Sequence, residues 1–169
     1  MIELRSATLG DIELINSLAD TIFRYTYKSI LSPQQIDFMF EMMYSPENIE
    51  RQMSLAHHYF IAEKDGEACG YLSIRELAAA HFYIEKIYTL PSVHGSGVAR
   101  RLFEFACDYA MSNSKSQKTL LELNVNRQNE RAIGFYKKMG MHADRRTDEH
   151  VGSGYYANDY VMALELSSR

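Results

Sequence analysis

Between Ile87 and Ala106 the chain reads IYTLPSVHGSGVARRLFEFA: an extended apolar run stopped at Pro91, a turn holding His94, Gly95, Ser96 and Gly97, then a helix-patterned segment. Gly95 and Gly97 lack Cβ atoms, so the turn can adopt backbone angles closed to other residues and bring its main chain close to a ligand. Directly behind them a helix begins, and the first N–H groups of a helix have no partner inside it. Bared backbone and helix dipole together suit an anion, above all a phosphate or pyrophosphate. The same glycines also suit a plain strand-to-helix turn. Two named phosphate motifs fail in detail. A P-loop ends in Gly-Lys-Ser/Thr where this helix opens GVARR, and a dinucleotide fingerprint needs a third glycine where Arg100 stands.

Other residues that could handle protons are scattered. His81 and His150 have an unperturbed pKa of about 6.5, although a lone histidine is more often a surface or satisfied residue. Tyr136 stands beside Phe135 in a helical segment and reads first as a core aromatic. Asn129, just ahead of that helix, is a natural N-cap. Cys69 and Cys107 fall inside a strand and a helix and read as free buried thiols, which suits a reducing compartment.

These residues need elements to hold them. Ile2 and Leu4 alternate in a short first strand. Asp11 is a plausible cap for a helix whose stripe is Ile12, Ile15, Leu18, Ala19, Ile22 and Phe23, and Ser32-Pro33 and Ser45-Pro46 mark two further helix starts. The run HYFIAEKDGEACGYLSIREL is a hairpin about Asp65-Gly66, and HFYIEKIYTL is the next strand. A helix from about Gly97 to Met111, the strand TLLELNVN, the helix NERAIGFYKKMG and a closing pair of strands divided by Gly152, Ser153 and Gly154 complete the chain. The resulting order is β-α-α-β-β-β-α-β-α-β-β, which is α/β with a mixed, mostly antiparallel sheet flanked by helices. At 169 residues this makes one domain, 1–169.

A formal net charge of −4 argues against a nucleic-acid binder and mildly favours a cationic substrate. Glu3 and Arg5 in the first apolar stretch exclude a secretory leader, and no run of about 18 apolar residues occurs to span a membrane. The expectation is a cytoplasmic protein.

The turn and the segment NVNRQNERAIGFYKKMGM together resemble the GCN5-related N-acetyltransferase superfamily. Its acyl-coenzyme A motif, Gln/Arg-x-x-Gly-x-Gly/Ala, is met by His94, Gly95, Ser96, Gly97, Val98 and Ala99, with His94 replacing the usual Gln or Arg. Its second motif, Asn-x-x-Ala-x-x-Phe-Tyr-x-x-x-Gly-Phe, is met by Asn129, Ala132, Phe135, Tyr136 and Gly140, with Met141 replacing Phe. The length, the segment YSPENIERQM and the ending NDYVMALEL look like the branch of bacterial polyamine acetylases of the PaiA type.

This resemblance implies the acyl-CoA N-acyltransferase fold and acetyl-CoA as co-substrate, with no metal. Backbone amides from His94 to Arg100 would hold the pyrophosphate. The pantetheine arm would pair with main chain at Ile87, Tyr88 and Thr89, where the strand from Tyr83 to Leu90 splays from the strand holding Leu121 to Val125. Tyr136 would protonate the departing thiolate, and Asn129 would bond the pantetheine or only cap its helix. Glu85 is the candidate general base, or else a carboxylate paired with Lys86 or another neighbour, and Glu122, Tyr83 and His81 are its rivals. Acceptor specificity would lie in the helices between Thr21 and Met53, rich in Tyr, Phe and Met, whose stripe serves equally as core. The acceptor is a small primary amine such as spermidine; a protein or peptide amine, or a non-enzymatic acyl-CoA sensor on the same fold, are the alternatives. A homodimer is compatible with the family.

Overall fold

Hydroxyl side chains start the first helices. In the computed structural model, which describes residues 1–168, strand β1 (Ile2–Ser6) leads to α1 (Ile12–Tyr27), α2 (Pro33–Tyr44) and α3 (Pro46–Ser54). Ser32 accepts from the Gln35 N–H at 3.1 Å and Ser45 from the Asn48 N–H at 3.3 Å, with Pro33 and Pro46 opening their helices. Three helices therefore precede the hairpin, matching the three helix starts read from the sequence although the order β-α-α-β holds two, because neither proline has an N–H with which to continue a preceding helix. Asp11 stands at the N-cap position of α1, as expected, but its side chain makes no cap bond there; the capping side chain is Thr8, ahead of the 3₁₀ turn Leu9–Asp11 that leads into α1. Thr8 Oγ1 accepts from the Gly10 N–H at 3.2 Å, and Asp11 accepts in return from the Thr8 N–H at 2.9 Å. Arg5 forks both terminal nitrogens onto Asp11 at 2.9 Å. That guanidinium, helped by the Thr8 N–H, holds the Asp11 carboxyl down at about 2.

Strands β2 (His58–Lys64) and β3 (Glu67–Ala78) form the expected antiparallel hairpin about Asp65-Gly66, and β4 (His81–Thr89) follows. Then come α4 (Val98–Asn113), β5 (Lys118–Asn126), α5 (Glu130–Lys138), β6 (His142–Gly152) and β7 (Tyr155–Ser167). The seven strands run in the order β1-β2-β3-β4-β5-β7-β6, a mixed sheet with helices on it as the pattern predicts. β4 and β5 are parallel, joined by the α4 crossover, while β1–β2, β2–β3, β5–β7 and β6–β7 are antiparallel. The β4–β5 ladder runs from His81 opposite Leu120 to Ile84 opposite Leu123 and stops there, while β5 stays paired with β7 as far as Asn126.

Two compact units share the chain: unit 1 is Met1–Ile74 with Lys86–Leu102, and unit 2 is Arg75–Glu85 with the chain from Phe103 onward. The backbone thus passes from one to the other three times. The core of unit 1 gathers Ile15, Ala19, Ile22 and Phe23 of α1 with Tyr44, Ile49, Ile61 and Tyr71. Most of the aromatic stripe on α1 and α2 is thereby used as core. Asp37, one of the carboxylates along it, is paired with Arg24 at 2.6 Å. In unit 2, Phe82, Ile84, Leu121, Leu123 and Met162 are buried. Both cysteines are free thiols, and burial pushes Cys107 up to about 11. Among the described residues no helix is long and apolar enough to cross a membrane.

Candidate active site

In unit 1, α4 opens directly behind the glycine turn. Gly95 and Gly97 have φ of 80° and 93°, and a Cβ at either would meet nothing within 4 Å. Backbone angle, not crowding, calls for glycine here. The Arg101 N–H bonds to Gly97 O at 3.0 Å, so the amides of Val98 and Ala99 lie in the first turn without an intrahelical acceptor. That is the geometry of an anion cradle. Ser96 Oγ donates to Val93 O at 2.5 Å and braces the turn. The ring of His94 packs against Tyr25 of α1, centroids 6.2 Å apart, so this side chain serves packing while its backbone stays in the turn.

Upstream of that turn, Ile87 is half-buried and Thr89 buried on β4. Tyr88 lies beside the Tyr71 ring, and its hydroxyl is 3.1 Å from that of Tyr27. Its carbonyl passes so close to β3 that a Cβ on Gly70 would come within 2.7 Å of it. Gly70 thus fixes the track of β4 where the coenzyme arm is expected. Lys86 does not pair with Glu85: strand alternation sends it to the opposite face, where it is 4% exposed. Its ammonium donates to Gln52 Oε1 at 2.7 Å and Tyr59 OH at 2.8 Å, Tyr59 donates in turn to Gln52, and the Tyr44 and Tyr59 rings flank it at 5.2 Å.

Unit 2 holds the groups that could move protons. Glu85 accepts from Arg75 Nε through Oε1, leaving Oε2 without a partner among the described residues. Tyr136 is 8% exposed on α5, its ring 5.5 Å from Phe135 and 6.4 Å from Phe103. Asn129 caps α5, accepting from the Ala132 N–H at 3.3 Å. Gly140, with φ 102°, closes the same helix: its N–H bonds to Lys137 O and that of Met141 to Tyr136 O, each at 3.0 Å. Two positions of the second motif are thus helix ends in their own right.

The rival bases are engaged. Glu122 is buried, bound by His81 Nε2 at 2.5 Å and by Arg145 Nη1 at 3.0 Å, one partner on each oxygen. Tyr83 OH donates to Asn124 Oδ1 at 2.8 Å. His150 Nε2 accepts from the Gly154 N–H at 3.1 Å and shapes the β6–β7 turn. On β4, alternation places His81, Tyr83 and Glu85 on one face, and the register adds Glu122 opposite Tyr83. Arg75, Gly70, and the Asn124–Asp159 contact described below escape the sequence reading. Alternation in HFYIEKIYT already puts Lys86 on the side of Phe82 and Ile84, a signal in plain view.

Comparison with known proteins gives four findings. Residues 21–141 match the model of the acetyltransferase (GNAT) family. A spermidine N(1)-acetyltransferase of Escherichia coli is 32% identical over 107 residues, 62% of this chain and 56% of that protein, so the match spans little more than half of the relative. A peptidyl-lysine N-acetyltransferase of the same organism is 36% identical over 74 residues, 43% of this chain and 45% of that one. Among solved structures, the PaiA N-acetyltransferase of Thermoplasma acidophilum in complex with coenzyme A superposes over 99% of both chains with a TM-score of 0.78 at 22% identity, a likeness of fold.

Proposed function

Since the chain belongs to the acetyltransferase (GNAT) family, we propose that it is a single-domain, cytoplasmic, acetyl-CoA-dependent N-acetyltransferase. It moves an acetyl group to the primary amine of a small molecule by direct attack within a ternary complex. The observation that carries this is the Gly95/Gly97 turn, whose positive φ angles open α4 immediately after β4 and present the first-turn amides of Val98 and Ala99. The turn and helix start from His94 to Arg100 bind the pyrophosphate of acetyl-CoA, and the end of β4 beyond the β5 ladder, at Ile87, Tyr88 and Thr89, pairs with the pantetheine as an added strand would. Asn129 has its oxygen in the helix cap and its Nδ2 for the pantetheine.

Glu85 takes the proton released by the attacking amine through Oε2, directly or by way of a water, while Arg75 holds the other oxygen. As the new C–N bond forms and the C–S bond breaks, the Tyr136 phenol gives its proton to the thiolate. A spermidine-like acceptor is supported by the spermidine N(1)-acetyltransferase relative. The peptidyl-lysine relative supports a lysine side chain as the second reading.

Following free thiol while the protein is mixed with acetyl-CoA and a panel of amines tests the proposal, and tight coenzyme binding with no thiol from any amine removes it. Y136F should lower kcat about a hundredfold with little change in the KM for acetyl-CoA. An unchanged kcat rules Tyr136 out as the acid.

A further inference from the structure

The sheet face that carries Tyr83 and Glu85 continues across unit 2 into a polar group that none of these roles uses. Tyr83 donates to Asn124 Oδ1 at 2.8 Å, and Asn124 Nδ2 donates to Asp159 Oδ2 at 3.2 Å. Asp159 is half-buried on β7, and burial pushes its carboxyl above the ordinary carboxylate range. Its second oxygen, Oδ1, has no hydrogen-bond partner among the described residues, yet it is not sealed from solvent. The Arg127 guanidinium lies near enough to favour the ionised Asp159 by its charge, but its hydrogen bonds go to other atoms: Nη1 to the main-chain oxygens of Thr147 at 2.9 Å and Asp159 at 3.1 Å, Nη2 to the Asp148 carboxylate at 2.7 Å. Directly opposite Asp159 in the β6–β7 register stands Thr147, whose Oγ1 is buried and makes no hydrogen bond.

A carboxylate drawn out of water is unfavourable until a cation or several donors meet it. An anionic or neutral ligand would leave that charge unmatched. A bare metal ion finds no group of three or more His, Cys, Asp or Glu among the described residues to hold it. An organic ammonium fits, because its N–H donors can meet the open Asp159 Oδ1, with the unbonded hydroxyl of Thr147 opposite and the amide of Asn124 beside it.

We infer that Asp159, Thr147 and Asn124 form an ammonium subsite holding a second positive charge of the amine acceptor. The inference rests on the acetyl-transfer reading and goes further by naming the residues that select a di- or polyamine. β5 lies between the strand of Glu85 and that of Asp159, and Asp159 stands opposite Asn126, beyond the end of the β4–β5 ladder, so the two carboxylates are two strand spacings apart sideways and further along the strands, roughly 10 Å or more. A triamine of spermidine's length spans that interval from a reacting nitrogen at Glu85, and a short monoamine does not. Tyr83 and Asn124 line the way between.

The test uses the whole protein as wild type, D159N and T147V. Spermidine binding is measured by titration calorimetry, and kcat/KM with acetyl-CoA is measured for spermidine and for butylamine. D159N should weaken spermidine binding tenfold or more and lower kcat/KM for spermidine at least tenfold more than for butylamine, with T147V moving both the same way by a few-fold. Equal losses for the two amines, unchanged spermidine binding in both variants, or a wild type that does not bind spermidine would overturn the subsite. If D159N does not fold, as judged by melting, T147V decides alone. Failure of the acetyl-transfer reading shows separately, as no thiol released with any amine, and calorimetry still decides the subsite.

Discussion

Lys86 in unit 1 and Asp159 in unit 2 are both charged groups drawn out of water, and the chain treats them differently. The lysine is enclosed: two oxygens accept from it, one of those acceptors bonds the other, and two tyrosine rings present their faces. The aspartate has one oxygen bonded and one left open. A charge enclosed by acceptors and aromatic faces holds structure together, because removing a partner leaves an expensive orphan. A charge left half-satisfied at a solvent-reachable atom is where an incoming ligand gains most. Burial of charge alone therefore does not separate framework from site; the completeness of its hydrogen bonding does.

The largest expected effect breaks the enclosed side of this contrast. Q52L removes an acceptor from the buried ammonium and the bond from Gln52 Nε2 to Met43 O, and should destabilise by about 2–3 kcal/mol. That is a fall in Tm of roughly 5–10 °C for a chain of this size. K86M removes the charge together with its demand and leaves Tyr59 bonded to Gln52, so its Tm should hold or rise. Equal losses in Q52L and K86M would show that the box contributes through shape rather than charge.

What could be read ahead of the structure divides along the same line. The glycine turn, the Ser-Pro helix starts, the Asp-Gly hairpin and the closing glycine of α5 are local: each is decided by a few adjacent residues, so each is visible in the string. The Thr8 cap was missed because Asp11, its capping-box partner, is itself a good cap. Glu85 with Arg75, Glu122 with His81 and Arg145, and Asp159 with Asn124 join different strands, and only the register tells which residues meet. A smaller effect probes the local class. G97A places a Cβ on a residue with φ 93°, a strain of about 1 kcal/mol. It should raise the KM for acetyl-CoA a few-fold and lower Tm by roughly 2–4 °C, with kcat nearly unchanged.

The smallest effect concerns a surface charge that is fully satisfied. Asp11 has its carboxyl lowered from the ordinary 3.8 to about 2 by Arg5 and the Thr8 N–H. A group held lower in the folded state gives stability that is present above about pH 4 and is lost as pH falls toward 2. D11N should therefore lose less Tm than wild type between pH 5 and pH 2, and parallel melting curves would assign the acid sensitivity to other carboxylates.

The three passages of the backbone between the two units also bear on how the protein is made. Unit 1 lacks residues 86–102 until the first stretch of unit 2 has already been synthesised, and unit 2 needs everything from Phe103 onward to accompany its first eleven residues. No single cut releases either unit whole, so half-length fragments should emerge as sticky, unfinished chains. A ribosome must deliver the chain through Leu102 before every segment of the first unit is available to pack.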